Sequence, residues 1–244
     1  MRLLKSVVLA AWAGGCVGTQ PVAPCLVARS GTPFLMKWTM QTGGLSSACQ
    51  TTLADFDLST LSAERYGSVA GENRDVFLRP SEFGFKTDVA ATALAKGELE
   101  RNDVGADATC AVDFTQAATV SFTGSDAGTV LRTATYEFKK VTSLSDAPHG
   151  GTQIQADLLY TRDGCSAEFH GLGVNPAVGC ATDAECGSSA NYDAGRTSGS
   201  GILPDYPVTC VADVRAAPFF GVTDGTITGF CELQGSAFPV LKTP

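Results

Sequence analysis

Cysteine and histidine are the residues of this chain best suited to chemistry, and their spacing limits what that chemistry is. Nine cysteines are spread over 244 residues: Cys16, Cys25, Cys49, Cys110, Cys165, Cys180, Cys186, Cys210 and Cys231. None forms a Cys-x-x-Cys pair, and His149 and His170 are the only histidines. A zinc ribbon or a thioredoxin-like redox centre needs closely spaced thiols, so neither fits. Nine cysteines are also too many for a reducing compartment. The reading left is a disulfide framework in an oxidising one.

A serine hydrolase needs a histidine held by a carboxylate and facing a nucleophile. His170 is expected opposite Asp157 across a hairpin, which supplies the first half. The nearest serine on that face, Ser166, lies four residues along the same strand, about 13 Å away. His149-Gly150-Gly151 faintly echoes an oxyanion-hole turn, but no Gly-x-Ser-x-Gly elbow accompanies it. A solvated loop histidine is the plainer expectation. Asp183, Glu185 and Asp193 share a long polar stretch and are the weak candidates for calcium, although their spacing matches no EF-hand. Glycan binding wants exposed aromatic platforms; Tyr66, Tyr192 and Tyr206 are loop candidates, whereas Trp38 falls on a face expected to be buried. No catalytic set, resident metal or cofactor is expected.

The N-terminus reads MRLLKSVVLAAWAGGC. Arg2 and Lys5 precede a short apolar run from Val7 to Ala13, too short to span a bilayer. The pattern is that of a signal peptide over residues 1–15. Ala13-Gly14-Gly15-Cys16 resembles the lipobox of bacterial lipoproteins, in which the cysteine is acylated, with Ala13 where leucine is usual. Cleavage after Ala13 is the competing reading. Cysteine parity favours lipidation of Cys16, because it leaves eight cysteines (Cys25, Cys49, Cys110, Cys165, Cys180, Cys186, Cys210 and Cys231) for four disulfides, whereas simple cleavage leaves an orphan thiol. Of the possible pairings, Cys25 with Cys49 is favoured as the shortest local loop. Residues 16–31 carry prolines and little periodicity and read as the tether. Residues 32–244 read as a single β-rich domain.

The formal net charge is -8, and loss of Arg2 and Lys5 with the signal takes it to -10. No basic cluster is visible, so nucleic acid and electrostatic docking on anionic lipid are excluded as partners. Hydrophobic residues make up 44%, enough for a proper core.

Strand signals dominate. Phe34, Met36, Trp38 and Met40 alternate with Leu35, Lys37, Thr39 and Gln41. Gln153–Arg162 and Cys165–Val174 flank Asp163-Gly164, a two-residue turn that fixes register. It sets Tyr160 against Ala167, Leu158 against Phe169 and Ala156 against Gly171 on one face, and Asp157 against His170 on the other. Leu172 opposite Gln155 and Leu159 opposite Glu168 interrupt the split. Upstream, a five-residue loop at 124–128 suggests Phe114 opposite Phe138, Ala118 opposite Ala134, Phe122 opposite Val130, Asp113 opposite Lys139 and Thr115 opposite Glu137. Asp224-Gly225 suggests a third hairpin between Pro218–Phe220 and Ile227–Leu233. Thr87–Leu99 is the one stretch that suits a short helix. One-sided sheets need a covering layer, and with at most one or two short helices that layer is a second sheet. The expected fold is an all-β, disulfide-stapled antiparallel β-sandwich, with a distorted β-barrel as the alternative.

From Asp163 onward the chain reads DGCSAEFHGLGVNPAVGCATDAECGSSANYDAG, followed by PDYPVTCVADV and GFCEL. This block resembles predicted secreted lipoproteins of myxobacteria, which share a Gly-Cys strand, a Cys-x-x-Asp-x-x-Cys loop and a final Cys-x-Leu strand. Cys180 to Cys186 fits that loop; the further cysteine common in the group is missing from 187–195. The resemblance implies an exported lipoprotein and no particular activity. The expectation is therefore a non-catalytic structural or binding component of the bacterial cell envelope, held by its lipid at the outer membrane on the periplasmic or surface side. An envelope protein or glycan is its possible partner. The alternative is a secreted hydrolase or carbohydrate-binding module acting on envelope or extracellular polymer.

Overall fold

The computed structural model describes residues 25, 32–65, 74–83, 86–87, 90–123, 130–146, 148–187 and 200–242. The signal, Cys16, the tether except Cys25, Tyr66, Tyr192, Asp193 and the 124–128 loop lie outside them. Ten strands make one sheet: β1 Phe34–Met40, β2 Leu58–Arg65, β3 Asp75–Ser81, β4 Lys86–Thr87, β5 Ala95–Leu99, β6 Thr109–Gln116, β7 Ala118–Thr123, β8 Val130–Leu144, β9 Gln153–Arg162 and β10 Cys165–Val174. A second, three-stranded sheet holds β11 Gly179–Cys180, β12 Val208–Ala212 and β13 Gly229–Leu233. The helices α1 Ser47–Leu53 and α2 Ala216–Phe220 are both short.

The chain is all-β and antiparallel, and the larger sheet closes on itself. β8 pairs with β9 along one edge and with β6 and β7 along the other. The ring runs β8-β9-β10-β1-β2-β3-β5-β6. Of the two arrangements open to the sequence, the closed barrel is therefore the one adopted in place of two stacked sheets. The fifteen residues of β8 make closure possible, because they are long enough to serve three neighbours. A bulge between Phe138 and Lys140 lets Phe138 and Val141 both point inward.

β1 to β3 and β5 to β10 contribute their inward alternates to one core that includes Phe34, Met36, Leu61, Leu78, Val120, Tyr136, Ile154 and Tyr160. Large and small residues oppose each other. Trp38 lies over Gly171, where an added Cβ would meet the indole at 2.4 Å, so glycine is the residue that fits. Phe56, in the turn after α1, stacks on Tyr160 at 3.9 Å and on Trp38 at 5.5 Å between centroids.

The Asp163-Gly164 turn takes left-handed backbone at both positions, with φ 51 and 77. The hairpin it closes has the register that a two-residue turn dictates, with Leu158 opposite Phe169 and Asp157 opposite His170. Leu172 breaks the polar face for a reason found outside the barrel. The three-stranded sheet covers that side, burying Leu172 and Val174 with Cys180, Tyr206 and Leu233. Leu35 and Leu58 are buried similarly with Phe230 and Ala216.

Three local expectations are corrected. Ala118 opposes Tyr136 and Phe122 opposes Arg132, two residues from the expected register, and Val112 opposes Val141, one residue from it. The β6–β8 ladder ends at Val112–Val141, so it contains neither the expected Asp113–Lys139 pair nor Thr115–Glu137; Asp113 is instead registered with Glu98 of β5. A five-residue loop leaves register loose, and a two-residue slip keeps every side chain on its face. Phe114 and Phe138 still meet, at 5.4 Å between centroids. Among the described residues of 87–99 no α-helix forms: Thr87 ends β4, Ala91–Ala93 make one 3-10 turn, and Ala95–Leu99 form β5, with Ala95 and Leu99 alternating into the core. The Asp224-Gly225 turn closes no hairpin: Pro218–Phe220 belong to α2, and β13 pairs with β11 and β12. The Asp224 carboxylate instead accepts from the Thr226 amide at 3.0 Å and hydroxyl at 2.6 Å.

Candidate functional site

The densest polar chemistry sits inside one end of the barrel. Arg132 ends the inward face of β8, Arg162 ends that of β9, and Glu82 follows β3. The Glu82 carboxylate, 6% exposed, accepts from the Tyr136 hydroxyl at 2.8 Å and the Tyr160 hydroxyl at 2.5 Å through one oxygen. Its other oxygen takes Arg132 and, at 3.4 Å, Arg162. Asp55, on the turn between α1 and β2, bridges the same two guanidinium groups from the solvent side and is 58% exposed. Burial pushes the Tyr136 and Tyr160 phenols far up, and the Glu82 charge adds to the effect. Burial tends to raise the Asp55 carboxyl, but hydrogen bonding and charge from Arg162 and Arg132 bring it below its ordinary value. Two cations meet two anions here, so the group closes on itself and plugs the barrel end. Arg215 extends the network outward. It holds Asp213 with two nitrogens, reaches Asp57 at 2.8 Å and lies over the Phe83 ring.

None of these residues stood out in the sequence. The available signal was a charge at the end of an apolar alternate, as in Leu158-x-Tyr160-x-Arg162 and Arg132-x-Ala134-x-Tyr136.

His170 and Asp157 lie directly opposite on the outer face of β9 and β10, with Nδ1 2.8 Å from Oδ1. Both are partly exposed. Ser166 is not brought to them; its hydroxyl pairs with that of Thr161 at 2.7 Å. His149 is not a solvated loop residue, as its setting suggested. It is buried, because the C-terminal segment crosses over it. Its Nδ1 meets the Asp146 carboxylate, its ring stacks on Tyr206, and Asp205 lies 3.7 Å from Nε2. Tyr206 is likewise no exposed platform: it is fully buried, its hydroxyl pairs with Thr152 at 2.9 Å, and burial pushes its phenol up to about 12. Trp38 is buried too, its indole N–H donating to Ser59 at 2.8 Å.

Of the three calcium candidates, Asp183 and Glu185 make local hydrogen bonds, and Asp193 lies outside the described residues. Asp183 accepts from the Thr209 hydroxyl at 2.6 Å and the Cys210 amide at 2.7 Å, and those bonds lower its carboxyl below the ordinary value. Glu185 caps the turn at Asp183–Cys186 through the amides of Ala181 and Thr182. The sulfurs of Cys180, Cys186 and Cys231 approach within 4.8 Å of one another, but each is oxidised in a disulfide.

Four disulfides form: Cys25–Cys110, Cys49–Cys165, Cys180–Cys210 and Cys186–Cys231. The favoured local pair Cys25–Cys49 is corrected. The two belong to opposite ends of the barrel: α1 carries Cys49 to the start of β10, while Cys25 sits where β5 turns into β6. Spatial neighbourhood in a closed sheet outranks closeness in sequence.

Fold and site together define a disulfide-stapled antiparallel barrel with a small cystine-rich sheet on its flank and a self-neutralised charge network at one end. A family model described as MlpA matches residues 32–176, more than half of the chain. The chain belongs to the MlpA family. The match spans the barrel from before β1 to past the end of β10 and stops short of the Gly179 strand, so most of the C-terminal block that carries the myxobacterial lipoprotein resemblance lies beyond it. The family name agrees with that resemblance in pointing to a lipoprotein family. No curated protein and no solved structure matches the chain.

Proposed function

We propose that the chain is a non-catalytic lipoprotein of the bacterial cell envelope, anchored through lipid on Cys16, with a structural or binding role. The observation that carries the reading is the cysteine pairing. All eight other cysteines are taken by one another. That pairing leaves no other cysteine over for Cys16, which stands directly after a charged and apolar leader ending in Ala13-Gly14-Gly15. A thiol in that position is chemically free to receive a lipid.

The polar groups support a non-catalytic role. The serine on the His170 face, Ser166, pairs with Thr161, and the Thr152 hydroxyl beside His149 is engaged by Tyr206 and the His149 carbonyl. The buried charges neutralise one another, as expected of a scaffold.

The test is detergent partition of the native protein together with mass spectrometry of its first peptide. The expected peptide begins at acylated Cys16, and Cys16→Ala moves the protein to the aqueous phase. A mature chain beginning at Gly14 would contradict the anchor. A fluorophosphonate probe should leave the protein unlabelled; stoichiometric labelling would contradict the non-catalytic role.

A further inference from the structure

Cys25 is not a loose part of the tether. Its side chain is bonded to Cys110 at the start of β6, its amide donates to the Asn102 carbonyl at 2.7 Å, and its own carbonyl takes the Arg65 guanidinium. It is fully buried. Those partners share one end of the barrel: Arg65 ends β2, Asn102 lies between β5 and β6, and Cys110 opposes Ser143 near the end of β8. Asp55, Glu82, Arg132, Arg162 and the Cys49–Cys165 disulfide share the other end.

We infer that the barrel stands on its Cys25–Cys110 end, with that end toward the bilayer and the Asp55–Arg132–Arg162 end held away from it. The inference rests on the proposed acylation of Cys16. Cys25 is nine Cα-to-Cα steps from Cys16, with eight residues between them. Nine steps reach about 30 Å at full extension, and a random coil of that length spans roughly 15–18 Å. β9 runs ten residues from Gln153 at the near end to Arg162 at the far end. That is about 33 Å along the strand and, at ordinary barrel tilt, roughly 25 Å along the axis. Turning the barrel over would require the tether to run nearly straight along its side, at a large cost in chain entropy.

The near end does not add electrostatic adhesion. Basic groups there are already engaged: Arg74 with Glu98 at 2.5 Å, Lys96 with Asp75 at 3.2 Å, Arg101 with Asp107 at 3.9 Å, and Arg65 with the Cys25 carbonyl and the Asn102 side chain. Anionic headgroups gain little from such a surface. The staple, and not surface charge, sets the orientation, and the far end is what a soluble partner meets first.

The experiment uses the acylated protein reconstituted in vesicles whose bilayer carries an acceptor dye. A donor dye is coupled to an azide-bearing residue placed at Ala106, exposed at the near end, or at Ala48, exposed on α1 at the far end. Energy transfer from Ala106 should exceed that from Ala48 in both neutral and anionic vesicles. Equal transfer, or more from Ala48, on protein whose first peptide is acylated at Cys16 overturns the orientation alone. A wild-type protein that carries no lipid on Cys16 overturns the anchor and this inference with it.

Discussion

The described residues of 34–174 bury a continuous interior against one another, whereas those of 177–242 bury theirs against two disulfides and the outside of the barrel. The barrel core draws on every long strand and is aromatic at its centre, where Trp38, Phe56 and Tyr160 stack. Its two cystines, Cys25–Cys110 and Cys49–Cys165, sit at opposite ends and close loops of 85 and 116 residues. The C-terminal block has three strands of five residues or fewer and cystines spanning 30 and 45 residues. So small a sheet has too little interior to stand alone, and crosslinks take the place of core. The family match follows the same division, since it covers the barrel and not the block.

The largest effect should come from the barrel end. Glu82→Ala leaves Arg132 and Arg162 with half their counter-charge and strips two buried phenols of their acceptor. A loss of about 3–5 kcal/mol is expected in denaturant unfolding. A loss below about 1 kcal/mol would mean that water reaches the network. In the block, paired replacement of Cys186 and Cys231 by serine should cost about 2–4 kcal/mol. Hydrogen exchange should then rise in β11, β12 and β13 while the barrel amides keep their protection. Equal loosening of the barrel would erase the contrast between the two regions.

A smaller effect marks the seam. The buried Gln153 amide donates to the Val240 carbonyl at 2.9 Å and accepts from the Val240 amide at 2.7 Å. Gln153→Leu should cost about 1–3 kcal/mol and speed exchange at Val240. Acid should act at the other end of the barrel. Asp213, where burial is outweighed by Arg215, and Asp55 both have carboxyls lowered in the folded state. Lowered carboxyls stabilise above their unfolded value of about 3.9 and lose that contribution as pH falls through the lower folded value. Unfolding midpoints should therefore drop as pH falls below about 4, and Asp213→Asn should flatten part of that slope. The smallest effect belongs to His170→Ala. An exposed pair contributes at most about 1 kcal/mol, so the melting curve should barely move.

What was legible in the sequence depended on how far the deciding contact reached. Asp163-Gly164 sets register through two residues, so Asp157 and His170 could be paired by counting. The five-residue loop at 124–128 left a slip of one or two residues open, and the strands took it. Residues 216–220 became helix because Phe219 and Phe220 pack together with Phe230 across the block, a contact between distant segments. The charge network was hidden for the same reason. Asp55, Glu82, Arg132 and Arg162 come from four elements that meet only when β8 closes on β9. His149 and Tyr206 looked like loop residues because each is covered by the other's segment.

Non-reducing peptide mapping of the exported protein tests the account most directly, because the barrel ends, the stapled block and the leftover Cys16 all rest on one pairing. The expected crosslinks are Cys25–Cys110, Cys49–Cys165, Cys180–Cys210 and Cys186–Cys231, with Cys16 in none of them. A Cys25–Cys49 crosslink, or a disulfide that includes Cys16, would contradict it.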